Sequence, residues 1–458
     1  MQTRQLPLHI LFLAIALLIL STPAKAQQLD PAVKDLISKA LDKSHSIQIK
    51  SFDAQQATID QKLAKSVFLP KVTFNGSYTR LDDDITFGSD TENLLLATQK
   101  LLIKEAAGIP FNSAFPQGIS LTPIPNLQNK NILKSAMDVD WILFSGFEAS
   151  NALKASKHKE ASINYLAMAE KDKIALNIIE TYDKLALVYA SKRVLIASEN
   201  YLKEQEFYVK KAIENGLATP IVRKKIELAQ QQLAGKMLEF NQNKKMLIEV
   251  LHQLTSESKE RLTFLNPQLE PFTSDSLSKS EKRNEIKALE EAEKAILFKS
   301  KMEKSSFIPK LALKGHYEFL ERDLSLLDPK WYVAVGVKWN VFDANQSRLK
   351  SEATQLEGMK YREQLDEADE MIALSIIKAE LTYEASLQNT DMIKKEIELT
   401  QDTYEMVNKQ YRNDLTSIRE VLDALNDLEK ANFKLQQSYF DQRRAVTNLL
   451  YAKGKLNY

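Results

Sequence analysis

Cysteine is absent from all 458 residues, so no disulfide frames the fold, no thiolate supplies chemistry and no lipid is carried on an N-terminal cysteine. Histidine is scarce: His9, His45, His158, His252 and His316 are scattered, and none stands at metal-ligand spacing with another. Glycine-rich phosphate loops and a nucleophile-elbow serine are also missing, so no metal, cofactor or catalytic residue is expected. Carboxylates are plentiful, but on long helices Glu290-Glu291 and Asp366-Glu367 read as solvated surface. Charge of one sign is lacking, because 62 basic side chains face 61 acidic ones, which excludes the basic field that nucleic acid requires. After the N-terminal segment no apolar run approaches the roughly 20 residues of a membrane-spanning helix. What remains is a periplasmic protein or one inserted through β-strands.

The N-terminal segment itself is informative. Arg4 precedes an apolar run from Ile10 to Leu20, and Ala24-Lys25-Ala26 offers small residues for cleavage. Residues 1–26 are expected to be a signal peptide, with the mature chain starting near Gln27.

Proline and glycine are few and unevenly placed, with 13 and 11 in the whole chain. Between Phe147 and Asn215 there is neither, and a helix over that stretch rises roughly 100 Å at 1.5 Å per residue. Apolar residues there and beyond recur at steps of three and four. One seam runs Val222, Ile226, Ala229, Leu233, Lys236, Phe240, Asn243, Leu247, Val250, Leu254, and another Ile418, Val421, Leu425, Leu428, Asn432, Leu435, Tyr439, Gln442, Val446, Leu449. A third, from Ile372 through Tyr383, Ile393 and Tyr404 to Tyr411, is diluted with small and polar residues and suits moderate burial or a watery lumen. Each long helix ends at a short turn, Asn215-Gly216-Leu217-Ala218-Thr219 and Asn413-Asp414-Leu415-Thr416-Ser417. Asn and Gly are suited to the left-handed stop, Thr219 and Ser417 to capping the returning helix, and Pro220 to its first turn.

The two helical hairpins belong to a duplication. Phe68-Leu69-Pro70-Lys71 answers Phe307-Ile308-Pro309-Lys310, Gly76 and Tyr78 answer Gly315 and Tyr317, Trp141-Ile142-Leu143-Phe144 answers Trp339-Asn340-Val341-Phe342, and Asn215 answers Asn413. The first repeat is placed at 27–257: a helix, a strand pair at 67–80 and 132–144 with a long inserted loop at 81–131, and a hairpin at 146–257. A linker at 258–280 leads to the second repeat, 281–458, with a helix, strands at 307–320 and 330–342, and a hairpin at 344–453.

The strand segments alternate with period two. Val72, Phe74, Gly76 and Tyr78 share a face, as do Met137, Val139, Trp141 and Leu143. Leu311, Leu313, Gly315, Tyr317 and Phe319 oppose Lys310, Lys314, His316 and Glu318, and Trp331, Val333, Val335, Val337, Trp339 and Val341 oppose Tyr332, Ala334, Gly336, Lys338 and Asn340. One apolar and one polar face is what lipid outside and water inside demand. All three tryptophans, Trp141, Trp331 and Trp339, lie in or at the ends of these strands, as in an aromatic girdle at a membrane interface. Four strands cannot close a barrel, and open edges are forbidden in lipid, so the chain has to oligomerise. Two copies give eight strands and a filled interior, three give twelve and a channel, and periodicity alone leaves the number open.

Two halves, each with a proline-initiated strand pair, a long helix, an Asn-Gly-Leu or Asn-Asp-Leu turn and a return helix, resemble the TolC-like outer-membrane efflux protein family. The resemblance covers nearly the whole mature chain, and its most specific stretch is Tyr411-Arg412-Asn413-Asp414-Leu415-Thr416-Ser417-Ile418-Arg419-Glu420-Val421-Leu422-Asp423-Ala424. It implies a mainly α fold with a β-barrel part: antiparallel coiled-coil hairpins plus four transmembrane strands per protomer, a homotrimer closing a twelve-stranded barrel and an α-helical tunnel. It implies a passive outer-membrane channel of a tripartite efflux pump or type I secretion system in a Gram-negative cell, with a periplasmic adaptor at the two tips and an inner-membrane pump behind it. By the same analogy Asp402 and Glu405, three residues apart on one helix face before the second tip, form an acidic periplasmic gate. Two departures stand out, Asp414 where family tips often carry glycine and the long insertion from Leu81 to Lys130. The alternative is a pore-less periplasmic coiled-coil scaffold or pump adaptor, but adaptors add small glycine-punctuated β-domains that this sequence lacks.

Overall fold

The computed structural model describes residues 29–270, 280–320 and 329–458. The expected signal peptide and residues 271–279 of the expected linker lie outside the described residues. The helices are α1 (Pro31–Lys43), α2 (His45–Ser66), α3 (Ser89–Ala106), α4 (Glu148–Glu214), α5 (Pro220–Thr255), α6 (Lys259–Phe264), α7 (Asn284–Lys304), α8 (Gln346–Arg412) and α9 (Ile418–Ala452). The strands are β1 (Lys71–Arg80), β2 (Asn131–Phe144), β3 (Lys310–Glu318) and β4 (Trp331–Lys338). The long helices α4 and α8 have 67 residues each, and their partners α5 and α9 have 36 and 35, so the duplication extends to element length. No helix among the described residues is long and apolar enough to cross a membrane.

The described residues form two compact units, 29–57 with 159–270, 280–293 and 359–458, and 58–158 with 294–320 and 329–358. Neither unit is one sequence repeat; each draws on both.

The first unit is helical. Near the hairpin turns one core joins Leu195, Leu202 and Val209 of α4, Ile226 and Leu233 of α5, Tyr404 of α8, and Ile418, Val421, Leu425 and Leu428 of α9. Full burial of each such aliphatic side chain stabilises by about 1.5–3 kcal/mol, which is what holds the two hairpins together. The seam on α9 is buried at both ends and half-buried at Asn432, Leu435 and Tyr439. On α5 the buried line drifts from Ile226 and Leu233 to Ile248, Leu251 and Thr255, one residue off the heptad positions Leu247 and Leu254. A helix of 3.6 residues per turn gains on a 3.5-residue repeat in this way. The third seam, on α8, is half-buried apart from Thr390, Ile393 and Tyr404.

A second core brings Val33, Leu36, Ile37 and Ala40 of α1 against Ile178, Ile179, Tyr182 and Leu185 of α4, Leu251 of α5 and Leu262 of α6. Asp30 starts α1 by accepting from the Ala32 N–H at 2.9 Å, and its other oxygen accepts from the Tyr182 hydroxyl at 2.6 Å. In the described part of the stretch read as a linker, α6 begins at 259 and Leu262 and Leu269 are buried. The Arg443 guanidinium donates to Asp183 at 2.9 Å and to the Glu270 carbonyl at 3.1 Å. Burial pushes the Asp183 carboxyl up and the Arg443 charge pulls it back, as befits an ion pair withdrawn from water.

The second unit contains one antiparallel sheet of order β1-β2-β3-β4. Strands β1 and β3 start later than the expected bounds of 67 and 307. Residues 67–70 turn between α2 and β1, and Ser305–Phe307 form a 3₁₀ turn before β3, because the prolines at 70 and 309 supply no N–H to a ladder. The insertion between β1 and β2 is not a plain loop. It holds α3, a bridge between Ile85 and Gln128, and a buried Lys104 that donates to the Phe111 carbonyl at 3.1 Å and to that of Ser113.

Candidate functional sites: the two-faced sheet and the hairpin tips

The register aligns one apolar face across all four strands. Val72 pairs with Val139, Phe74 with Met137 and Tyr78 with Leu133; Val139 pairs with Gly315, Trp141 with Leu313, Leu313 with Val335 and Tyr317 with Trp331. Val333, Val335 and Val337 are all exposed on this face. A bulge between Ile142 and Phe144 makes one correction: Phe144, not Leu143, continues the apolar row by pairing with Leu311.

The other face is hydrogen-bonded and charged. Asp138 accepts from the Asn75 amide at 2.8 Å and lies 2.8 Å from His316 Nδ1, and the His316 ring stacks on Tyr332 at 5.0 Å. Lys314 sits opposite Asp140, and the Glu318 carboxylate accepts from the Ser135 N–H at 2.7 Å. Polar groups satisfied across strands on one side and bare Val, Phe and Trp on the other fit a wall between water and hydrocarbon.

The tryptophans occupy both ends of this wall. Trp141 and Trp339 stand at the end from which the long helices leave, and their indole N–H groups donate to the carbonyls of Phe68 and Phe307 at 2.9 and 3.0 Å. Trp331 opens β4 at the opposite end, eight positions from Trp339 and so about 27 Å along an extended strand. Trp339 and Val341, read as strand residues, lie just beyond β4.

At each strand-to-helix junction two consecutive residues take positive φ, Gly146 and Phe147 at 68° or less and Ala344 and Asn345 at 53° and 63°. Ser145 then accepts from the Ala149 N–H at 3.1 Å, and Asp343 from the Ser347 N–H at 3.0 Å.

The hairpin tips in the helical unit repeat one backbone motif. After α4 the Leu217 N–H reaches the Ala212 carbonyl at 2.8 Å and the Gly216 N–H reaches Ile213 at 3.0 Å. After α8 the Leu415 N–H reaches Gln410 at 2.9 Å and the Asp414 N–H reaches Tyr411 at 3.1 Å. These are paired Schellman closures, with Gly216 (φ 72°) and Asp414 (φ 57°) left-handed. The left-handed stop therefore falls on Gly216 and Asp414, one residue after Asn215 and Asn413. Thr219 and Ser417 do hold the N-cap positions, but neither side chain makes a capping hydrogen bond. Thr416 instead bonds Glu420. Leu217 and Leu415 project at equivalent places, 70% and 75% exposed, with Ala218 beside the first.

Arg412 ties the two hairpins together just before the second tip, donating to Glu204 at 2.6 Å and lying 4.1 Å above the Tyr208 ring. A groove of about 440 Å3 opens nearby between α4, α5 and α9, lined by Leu202, Lys225, Leu228, Lys236, Arg419 and Asp423. Sequence reasoning passed over this groove, whose signal is the basic residues flanking the apolar seam of α5.

Asp402 and Glu405 are both exposed on α8, and Glu405 accepts from Gln401 at 2.8 Å. Tyr404 between them is buried against Tyr201, with ring centres 5.0 Å apart. The two carboxylates thus sit off the packed face of α8. Sequence reasoning also missed a second stripe on this helix: Met392, Leu399 and Met406, spaced by seven, are uncovered. No group of three or more His, Asp or Glu is placed to hold a metal among the described residues.

No known family's sequence model matches the chain, and no curated relative matches it. Solved structures do. The outer membrane protein VceC of Vibrio cholerae shares the fold at a TM-score of 0.73 and 15% identity, over 93% of this chain and 96% of that one. The Campylobacter jejuni CmeC outer membrane channel matches at 0.69 and 14%, over 95% and 90%. The open state of the Neisseria gonorrhoeae MtrE outer membrane channel matches at 0.62 and 14%, over 93% and 89%. At such identities the likeness shows the fold, over more than nine-tenths of the chain.

Proposed function

We propose that this protein is an outer-membrane channel, three copies of which close a barrel in the outer membrane of a Gram-negative bacterium and continue as helices into the periplasm. The observation that carries this reading is the sheet: four strands with an apolar outer face, a satisfied polar inner face and two unpaired edges. In lipid such edges have to be paired, and three copies of four strands make the twelve that leave a lumen. The fold shared with VceC, CmeC and MtrE supports it, as do the uncovered apolar residues Met392, Leu399 and Met406 on α8 and Ile221 and Leu228 on α5, which suit packing against further copies. A pore-less scaffold has no use for a sheet that turns valine and tryptophan outward. The test is fractionation followed by planar-bilayer recording. A detergent-requiring, heat-modifiable trimer that conducts is expected, and a soluble monomer in the periplasmic extract overturns the reading.

The tips supply the partner-facing surface. Leu217 and Leu415, presented identically and close to the charged groove, offer a periplasmic adaptor two equivalent apolar knobs, and an inner-membrane pump completes the export or secretion system. Leu217→Glu with Leu415→Glu is expected to abolish export with trimers intact, and unchanged transport removes the tips from the docking surface. Asp402 and Glu405, three copies of each, make an acidic constriction that favours cations. Asp402→Ala with Glu405→Ala is expected to lower cation preference in single-channel recordings; unchanged selectivity places the constriction elsewhere.

A further inference from the structure

The two β-hairpins are copies of one another to the residue. Lys71 pairs with Asp140 in the first and Lys310 with Lys338 in the second; Phe74 pairs with Met137, and Leu313 with Val335. Adding 239 to a β1 number and 198 to a β2 number turns the first register into the second throughout. Both hairpins carry the same indole-to-carbonyl bond and the same left-handed pair before the long helix. The join between them, β2 with β3, is therefore a template for the join between one chain's β4 and the next chain's β1.

One asymmetry marks β4 as an unpaired edge of the described sheet. Strand β2, paired on both sides, runs on to Phe144, whereas β4 stops at Lys338, although Trp339 to Phe342 correspond to Trp141 to Phe144. Phe144 is 39% exposed and its counterpart Phe342 is 82% exposed; Trp141 and Trp339 stand at 40% and 59%. The first set has β3 beside it, through Trp141 with Leu313 and Phe144 with Leu311, and Phe144 also meets the Phe147 ring edge-on at 5.2 Å, where the second hairpin has Asn345.

Building on the channel reading above, we infer that β4 pairs with β1 of a neighbouring copy in one register, Ala334 opposite Thr79, Val335 opposite Tyr78, Val337 opposite Gly76 and Trp339 opposite Phe74, with the bulge repeated so that Phe342 meets Val72. The transfer also identifies what this outer seam lacks. At the internal seam Glu148 bonds Lys310, Asn151 donates to Ser305 at 3.3 Å, and Gly146 packs so closely that a Cβ there would lie 2.9 Å from the Ile308 carbonyl. The corresponding residues are Gln346 and Lys71, Leu349 and Ser66, and Ala344 facing Leu69. An amide replaces the carboxylate, an aliphatic group replaces the donor, and a methyl stands where the internal seam has no room for one. The outer seam is thus held by its strand ladder with weaker fastening at the helix end.

The absence of native cysteine makes the register directly measurable. Within one chain β1 and β4 are three strand spacings apart, roughly 14 Å, beyond disulfide reach, so any bridge between them joins two copies. Mild oxidation of the full-length Val335→Cys, Tyr78→Cys protein in outer membranes is expected to convert most of it to a boiling-resistant covalent species that a reductant returns to monomer. The slipped pairs Val335→Cys with Gly76→Cys and Val335→Cys with Arg80→Cys are expected to bridge at least tenfold less. Trimers in the outer membrane that bridge equally or better at a slipped pair, or at none, overturn the register while leaving the channel reading intact. A protein with no membrane oligomer overturns both. Gln346→Glu is expected to raise the temperature at which trimers dissociate, and Lys71→Gln to cancel that rise; no rise in the single variant rejects the contact between these two residues.

Discussion

The helical unit and the sheet unit of this chain obey opposite rules. In the first, Leu195, Val421 and Leu449 are turned inward, while Met392, Leu399 and Met406 stay uncovered. In the second, Val333, Val335, Val337 and Phe74 are turned outward and Asp138, His316 and Asn75 bond to one another on the other face. A soluble helix needs one apolar stripe for its neighbours, whereas a strand facing lipid needs an apolar row with nothing of its own chain upon it. The comparison teaches that burial in a single chain marks stability for one unit and says little for the other, where exposed valine has its explanation in the channel proposed above.

Breaking the inward unit at its charged centre has the largest expected effect. Arg443→Ala leaves Asp183 buried without its partner and is expected to cost about 3–5 kcal/mol, read as a lowered midpoint of chemical denaturation in detergent. The outward unit is probed by the reverse insult. Val335→Lys places a charge on the lipid face and is expected to cost about 2–4 kcal/mol near the bilayer midplane, whereas Thr73→Lys on the polar face leaves heat stability nearly unchanged. Equal tolerance of both lysines contradicts the assignment of faces.

A smaller effect sharpens the picture of the tips. Asp414 holds a left-handed conformation that Gly216 holds without strain, so Asp414→Gly is expected to stabilise the second hairpin by up to about 1 kcal/mol, measured as slower amide exchange at Leu415. The smallest concerns pH. The Lys39 ammonium holds the Glu257 carboxyl below its usual range, with Arg261 assisting. A depressed carboxylate stabilises the fold above its unfolded pKa, and that contribution disappears as pH falls through the folded value. Glu257→Gln is therefore expected to melt below the parent protein at neutral pH and to converge with it as the pH drops below about 4. A gap that persists in acid rejects an electrostatic role.

The seams, the duplication and the alternating faces were legible because each is a period, and periods survive in a single sequence. Departures from period were not. Ile142, Leu143 and Phe144 are all apolar, so the bulge that advances Phe144 into Leu143's place leaves no mark on the hydrophobic pattern. Helix α3 lies in a stretch punctuated by glycine and proline, and its leucines stand in a solvent-facing element rather than on a core-facing stripe. The uncovered stripe Met392, Leu399 and Met406 was overlooked because one seam per helix satisfies a hairpin, and a second has meaning only when further copies are brought to it. The tip backbone was nearly legible: Asn215 and Asn413 advertise the turn, but the left-handed residue is set by the 6→1 closure onto Ala212 and Gln410, one position on.

Gln205 stands at the centre of an otherwise apolar core, 0% exposed, donating to the Tyr404 hydroxyl at 3.3 Å and to Asn408 at 3.0 Å. Its amide finds these partners at one axial setting of α4 against α8. A slide of one heptad would leave the amide one polar partner instead of two, Tyr411 at the place of Tyr404 or Gln401 at that of Asn408, at a cost of about 0.5–1.5 kcal/mol in each chain. The two helices are therefore biased toward one axial setting by a polar contact rather than by apolar packing alone.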